Sequence, residues 1–167
     1  VIAPDMTGFG ENEGMSYPYS LDDYADEIIK LVGELKIKKY DLLAHSFGAR
    51  VAVKIANRDE RVDRIVFTGA AGLKPRRSLK YLFKRASFLL LKRLVPREKL
   101  ARFYSSDYRS LTPVMKESFK KIIAENLDGE IKRIRNKCLV VSGKKDNETP
   151  PYSQRRYASY IKNSECV

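Results

Sequence analysis

Hydrophobic and polar positions change period along the chain in a regular order. Val1-Ile2-Ala3-Pro4 is a short apolar run that reads as a buried strand. The glycine-rich polar stretch from Asp5 to Gly14 predicts a loop. Ser20 then opens an amphipathic helix, with Leu21, Tyr24, Ala25, Ile28, Leu31, Val32 and Leu35 recurring on one face. Asp23, three residues after Ser20, completes a capping-box pattern. Asp22, Asp23, Asp26 and Glu27 fall in the early turns, where the helix dipole favours acids. A second apolar run, Tyr40-Asp41-Leu42-Leu43-Ala44, leads through His45-Ser46-Phe47-Gly48 into a helix carrying Val51, Ala52, Ile55 and Ala56. Arg64-Ile65-Val66-Phe67-Thr68-Gly69 is a further strand ending in glycine. Strand, helix, strand, helix, strand is the order of right-handed βαβ units, which build a parallel sheet covered by helices.

Beyond residue 70 the alternation stops. Ser78 to Val95 has helical spacing, with Leu79, Leu82, Phe83, Ala86, Leu89, Leu90 and Leu94 apolar, and a shorter helix is expected from Arg97 to Tyr104. Thr112 and Pro113 predict the start of a third, a cap followed by proline in the first turn. Val114, Met115, Phe119, Ile122 and Ile123 are its expected inner face. Roughly sixty residues of helical pattern without a strand read as an insertion into an α/β framework. Cys138-Leu139-Val140-Val141-Ser142-Gly143 restores the strand signal, a polar loop follows, and Pro150 to Lys162 reads as a closing helix. Glu165-Cys166-Val167 looks like the opening of another strand.

Composition changes this picture in three ways. The 167 residues suit one domain, yet the chain starts and stops within apparent strands, so it is expected to be a piece of a longer protein. The net charge of +12 is uneven. Residues 1–70 hold 9 basic and 12 acidic side chains, residues 71–137 hold 19 and 6, and residues 138–167 hold 5 and 3. The basic excess therefore lies in the insertion and its exit, where it forms a solvated helical face or attracts an anionic partner. Two cysteines, Cys138 and Cys166, make no disulfide framework, and with one histidine they make no zinc set, so no metal or other cofactor is expected. No apolar run is long enough to span a membrane. A cytoplasmic location is expected.

The chemistry concentrates in Ala44-His45-Ser46-Phe47-Gly48. A serine between strand and helix, with small residues two positions to either side, has the pattern of a nucleophile elbow. On this reading the turn is so sharp that larger side chains at Ala44 and Gly48 would collide. The helix N-terminus and the Phe47 N–H would face a developing oxyanion. The alternative is an ordinary turn in which Ser46 caps the helix. Asp146, in Gly143-Lys144-Lys145-Asp146-Asn147-Glu148-Thr149-Pro150, follows a late strand and is placed either to orient a catalytic histidine or to cap the helix near Pro150.

Three segments, Asp5-Met6-Thr7-Gly8-Phe9-Gly10, Ala44-His45-Ser46-Phe47-Gly48 and Gly143-x-x-Asp146-x-x-x-Pro150, occur in this order. Together they resemble the α/β-hydrolase superfamily, in its cap-bearing esterase, lipase and C–C hydrolase branch. The resemblance implies an α/β-hydrolase fold, a parallel sheet with flanking helices and an inserted cap, lacking its first strands and its last. It implies core segments at 1–70 and 129–167 around a basic helical cap at 71–128. It implies Ser46 as nucleophile, Asp146 as triad acid and the Phe47 N–H as an oxyanion donor, with Ala44, His45 and Gly48 structural to the elbow. The family's base follows its last strand, so the catalytic histidine is expected outside this chain, and the chain alone is expected to be inactive. A serine at the elbow argues against the dehalogenase and epoxide-hydrolase branches, which use aspartate. Asn12 stands where relatives often carry serine, a difference that concerns the loop. The expected activity is hydrolysis of a small ester or related carbonyl compound, anionic or acyl in character, without nucleic acid. A non-catalytic binding protein on the same fold and a basic cap docking on an anionic membrane surface are the other readings. Oligomeric state is not legible.

Overall fold

The strands are short runs rich in β-branched and aliphatic residues, and every pairing between them is parallel. The structure, a computed structural model, describes residues 1–74 and 111–167. β1 (Tyr40–His45), β2 (Val62–Thr68), β3 (Lys137–Val141) and β4 (Ser164–Cys166) form one sheet in that order. Register sets Leu42, Ile65 and Cys138 side by side, then Ala44, Phe67 and Val140. All of these but the half-buried Leu42 are buried. Successive strand residues point to opposite sides, so the rows mark one apolar face.

Five helices accompany the sheet among the described residues: α1 (Leu21–Glu34), α2 (Phe47–Ala56), α3 (Pro113–Ala124), α4 (Asp128–Ile131) and α5 (Pro151–Tyr160). α2 packs on β1 and β2, α5 on β3 and β4, and α4 touches both helices. The Tyr157 ring of α5 lies 5.1 Å from that of Phe67, on the buried face. Each such side chain, wholly removed from water, contributes roughly 1.5–3 kcal/mol. On the opposite face Leu43 is 78% exposed and Val66 and Leu139 are half-buried. The parallel sheet with flanking helices is present, and α2 and α5 share one side of it.

Local signals place the helix starts. The Ser20 hydroxyl accepts from the Asp23 N–H while the Asp23 carboxylate accepts from the Ser20 N–H, closing the capping box. The Thr112 hydroxyl accepts from the Met115 N–H, with Pro113 in the first turn. Three expectations need correction. Residues 1–4 are exposed and pair with no strand among the described residues; Pro4 lacks an N–H for a ladder, and the chain runs directly into the loop at Asp5. In α3, Phe119 and Ile123 are 40% and 54% exposed rather than inward. That helix meets the residue after the Asp5–Gly14 loop through Ser118, whose hydroxyl reaches Met15 Sδ at 3.3 Å, and its buried positions are Ser118 and Ile122. The four-residue α4 had no forerunner in the sequence pattern. The expected helices at Ser78–Val95 and Arg97–Tyr104, and with them most of the expected cap, lie outside the described residues.

Two polar junctions organise the molecule below and beside the site. Lys54 on α2 is only 6% exposed and its ammonium meets Asp22 of α1 at 3.5 Å, Glu125 at 2.5 Å and Glu130 of α4 at 2.8 Å. Burial alone would lower its pKa, but the hydrogen bonds to Glu125 and Glu130 outweigh it and raise the value. Second, the segments on either side of residues 75–110 are fastened together. The Leu127 N–H donates to the Gly72 carbonyl, the Lys74 N–H to Asp128 Oδ1, and Arg156 of α5 donates both to the Lys74 carbonyl and to Asp128 Oδ2.

Candidate active site

β1 ends at His45 and α2 begins at Phe47, so Ser46 alone makes the turn between them. Its φ of 46° and ψ of −109° lie in a region that non-glycine residues rarely enter, at a cost of order 1–3 kcal/mol. Neighbouring backbone holds it there. The Ser46 N–H donates to the Thr68 carbonyl at 3.2 Å, and the Ser46 carbonyl accepts from Ala49 at 3.2 Å and Ala71 at 3.4 Å. The side chain is exposed and makes no capping bond to α2. A serine present as a helix cap would have ordinary extended dihedrals and a hydroxyl bonded to the helix; Ser46 has neither.

Phe47 is the first residue of α2, where N–H groups have no acceptor within the helix. Its ring stacks on Phe9 with centroids 5.6 Å apart and meets Tyr24 edge-on at 5.2 Å. The elbow is thereby packed against the Asp5–Gly14 loop. That loop is closed by its own polar groups and by Glu27 of α1: Asp5 Oδ2 accepts from the Glu11 N–H, the Asn12 amide donates to the Asp5 carbonyl and to Glu27, and the Thr7 hydroxyl donates to Glu27. Gly10, at φ 55°, suits the loop, because any other residue would be strained there and its Cβ would displace the Asp5 carboxylate. Asn12 therefore does hold the loop. The aromatic contact of Phe9 with Phe47 escaped the sequence reading, since nothing in spacing links residues so far apart.

Ala44 is buried beneath the elbow, in keeping with a requirement for a small side chain. Gly48 is different. A Cβ built on it meets nothing within 4 Å among the described residues, so the expected collision at that position is absent.

The parallel register brings the ends of β1, β2 and β3 level at His45, Thr68 and Val141. Ser46 and the loop bearing Asp146 therefore rise from the same end of the sheet, on strands separated only by β2. Asp146 Oδ1 accepts from the N–H groups of Glu148 and Thr149, both at 2.9 Å, and Oδ2 accepts from the Thr149 hydroxyl at 2.6 Å. These bonds, the Thr149 hydroxyl foremost, hold its carboxyl below the usual aspartate range. The cap position of α5 is Pro150, so Asp146 shapes its own loop and does not cap that helix.

His45 is placed more informatively than the sequence suggested. Its Nδ1 pairs with the Thr68 hydroxyl at 3.0 Å, and no hydrogen bond joins it to Ser46. Its Cε1 lies near Asp146 and Thr149, over Gly69. Among the described residues no group of three or more His, Cys, Asp or Glu could hold a metal ion, and no helix is long and apolar enough to cross a membrane.

A strained serine between a parallel strand and a helix, with a carboxylate loop two strands away, is the architecture of a known family. Residues 1–164 match the model of the alpha/beta hydrolase family, and the chain belongs to that family. It is 27% identical to a 2-hydroxymuconate semialdehyde hydrolase of Pseudomonas putida over 188 aligned positions, covering 99% of this chain and 66% of the relative. A shorter stretch of 75 residues, 44% of this chain and 26% of the relative, is 41% identical to the 2-hydroxymuconate semialdehyde hydrolase of Pseudomonas sp. strain CF600. Among solved structures it resembles a meta-cleavage product hydrolase from Pseudomonas fluorescens IP01, with 28% identity, a TM-score of 0.67 and coverage of 98% of this chain and 68% of the other. The chain thus spans about two thirds of the relatives it matches along its whole length, and about a quarter of the one it matches over a short stretch.

Proposed function

We propose that this chain carries the nucleophile and the acid of a serine hydrolase acting on a small carbonyl substrate. The observation that carries the reading is Ser46: strained, exposed, uncapped, and set at the start of α2 level with the loop of Asp146. In this mechanism Ser46 Oγ gives its proton to a histidine base and attacks the carbonyl carbon. The negative oxygen of the tetrahedral intermediate is met by the Phe47 N–H at the helix N-terminus. Asp146 accepts from the base's other ring N–H and holds it in the right tautomer. Water then releases the acyl group. We assign that role elsewhere than His45, which adjoins Ser46 on the elbow, pairs through Nδ1 with the Thr68 hydroxyl and makes no hydrogen bond to Ser46. The base comes from outside the described residues.

The relatives named above act on 2-hydroxymuconate semialdehyde and on meta-cleavage products. This supports narrowing the substrate to an acidic keto compound cleaved at a carbon–carbon bond beside a carbonyl, with an ester as the simpler alternative. The basic excess of residues 71–137 suits such an anionic substrate. Activity-based labelling tests the proposal. A fluorophosphonate should label the full-length protein stoichiometrically and leave the Ser46→Ala variant unlabelled. Labelling that persists in Ser46→Ala, or is missing in the native protein, overturns it.

A further inference from the structure

Gly69 follows β2 directly, between the elbow and the acid loop, with φ 52°. A Cβ on it would lie 3.1 Å from His45 Cε1, 3.1 Å from Thr149 Oγ1 and 3.3 Å from Asp146 Oδ2. Three side chains from two strand ends therefore crowd the space above one bare Cα. We propose that Thr149 and His45, meeting over Gly69, are positioning residues that aim the Asp146 carboxylate toward a single acceptor direction.

A carboxylate offers about four lone-pair sites. Oδ1 uses two, on the Glu148 and Thr149 N–H groups, and Oδ2 uses one on the Thr149 hydroxyl. One site is left, on the oxygen that lies over Gly69. His45 flanks that oxygen and is itself anchored to β2 through Thr68, so the carboxylate cannot swing toward the elbow without displacing a bonded ring. The free site is thereby the only one from which Asp146 can receive a base. Thr149 acts on the acid and His45 limits its travel; neither touches substrate. The nearby imidazole also favours the charged form of Asp146, in the same direction as the Thr149 bonds.

This inference rests on Asp146 being the triad acid, and the experiment separates the two. Fluorophosphonate labelling of Ser46 in the full-length protein is followed as a maximal rate and a half-saturating concentration. Thr149→Val should lower the maximal rate about 10- to 100-fold, the value of one hydrogen bond to a charged group, with the half-saturating concentration changed less than about twofold. Thr149→Ser should restore it to within about threefold. His45→Ala should lower the maximal rate by a smaller factor, about fivefold. In an Asp146→Asn background Thr149→Val should have no further effect, because it acts only through the acid. A full native rate in Thr149→Val, or an undiminished Thr149→Val effect in the Asp146→Asn background, overturns the positioning role. A native rate in Asp146→Asn itself overturns the assignment of the acid, and this inference with it. Thermal midpoints accompany each variant, and a loss of rate that Thr149→Ser fails to restore counts against the proposal.

Discussion

Lys54 and Asp146 are both charges held by several partners, and they are held to opposite ends. Lys54 is buried where α1, α2 and α4 meet, and its ammonium is consumed by three carboxylates. Asp146 sits at the open end of the sheet, where its partners take most of its acceptor sites and leave one. The backbone differs in the same sense. Around Lys54 the helix is regular; at the elbow Ser46 is forced into rare dihedrals and its hydroxyl makes no capping bond to α2. Saturated polar groups on relaxed backbone define the frame. Partly used polar groups, with Ser46 on strained backbone, mark the end of the three strands where we propose that the chemistry occurs.

The comparison can be broken at several points. The largest effect is expected at the elbow. Ser46→Ala in the full-length protein should reduce turnover of an activated ester by roughly 10⁶-fold, read from steady-state kinetics, without lowering the unfolding midpoint. Replacing Lys54 with Met should do the reverse. It leaves the carboxylates of Glu125 and Glu130 without their cation and should destabilise the protein by about 2 kcal/mol in urea unfolding. That is below the roughly 3–5 kcal/mol of a fully buried pair, because Asp22 and Glu125 reach water. Asp59 gives a pH test on the saturated side. The Arg61 guanidinium, with the Arg61 N–H and the Tyr40 hydroxyl, holds its carboxyl down to about 2. Its folded value is depressed, so its contribution of about 2 kcal/mol is present above pH ~4 and is lost as pH falls toward 2. Asp59→Asn should flatten that acid limb in a series of unfolding curves. The smallest effect belongs to Gly48. With open space for a Cβ in the first turn of a helix, Gly48→Ala should raise stability by about 0.5–1 kcal/mol. A loss would show that the position is crowded after all.

How much of this was legible in the sequence follows the range of the interactions. The Ser20–Asp23 box and the Thr112–Pro113 start were readable because capping is settled within one helical turn. The parallel sheet was readable because strand and helix periods alternate. Ser46 stood out from its small neighbours; Ala44 is buried, while a Cβ at Gly48 meets no crowding among the described residues. What stayed hidden depends on residues brought together by folding. Gly69 looks like any strand-ending glycine until His45, Asp146 and Thr149 close over it. Lys54 looks like a surface lysine on an amphipathic helix until carboxylates from three other segments converge on it. The exposed Ile123 shows the same limit, because an apolar stripe names a face but not which part of it the fold covers.

The fastening between Gly72, Lys74, Leu127, Asp128 and Arg156 has a consequence of a different kind. The chain leaves the sheet and returns to it at one doorway, secured by Arg156 on a core helix. The two sides of that doorway are held by the core's own hydrogen bonds, so their spacing does not depend on the residues that run between them. A change of length or charge between residues 74 and 111 should therefore leave the sheet, the turn at Ser46 and the loop of Asp146 as they are.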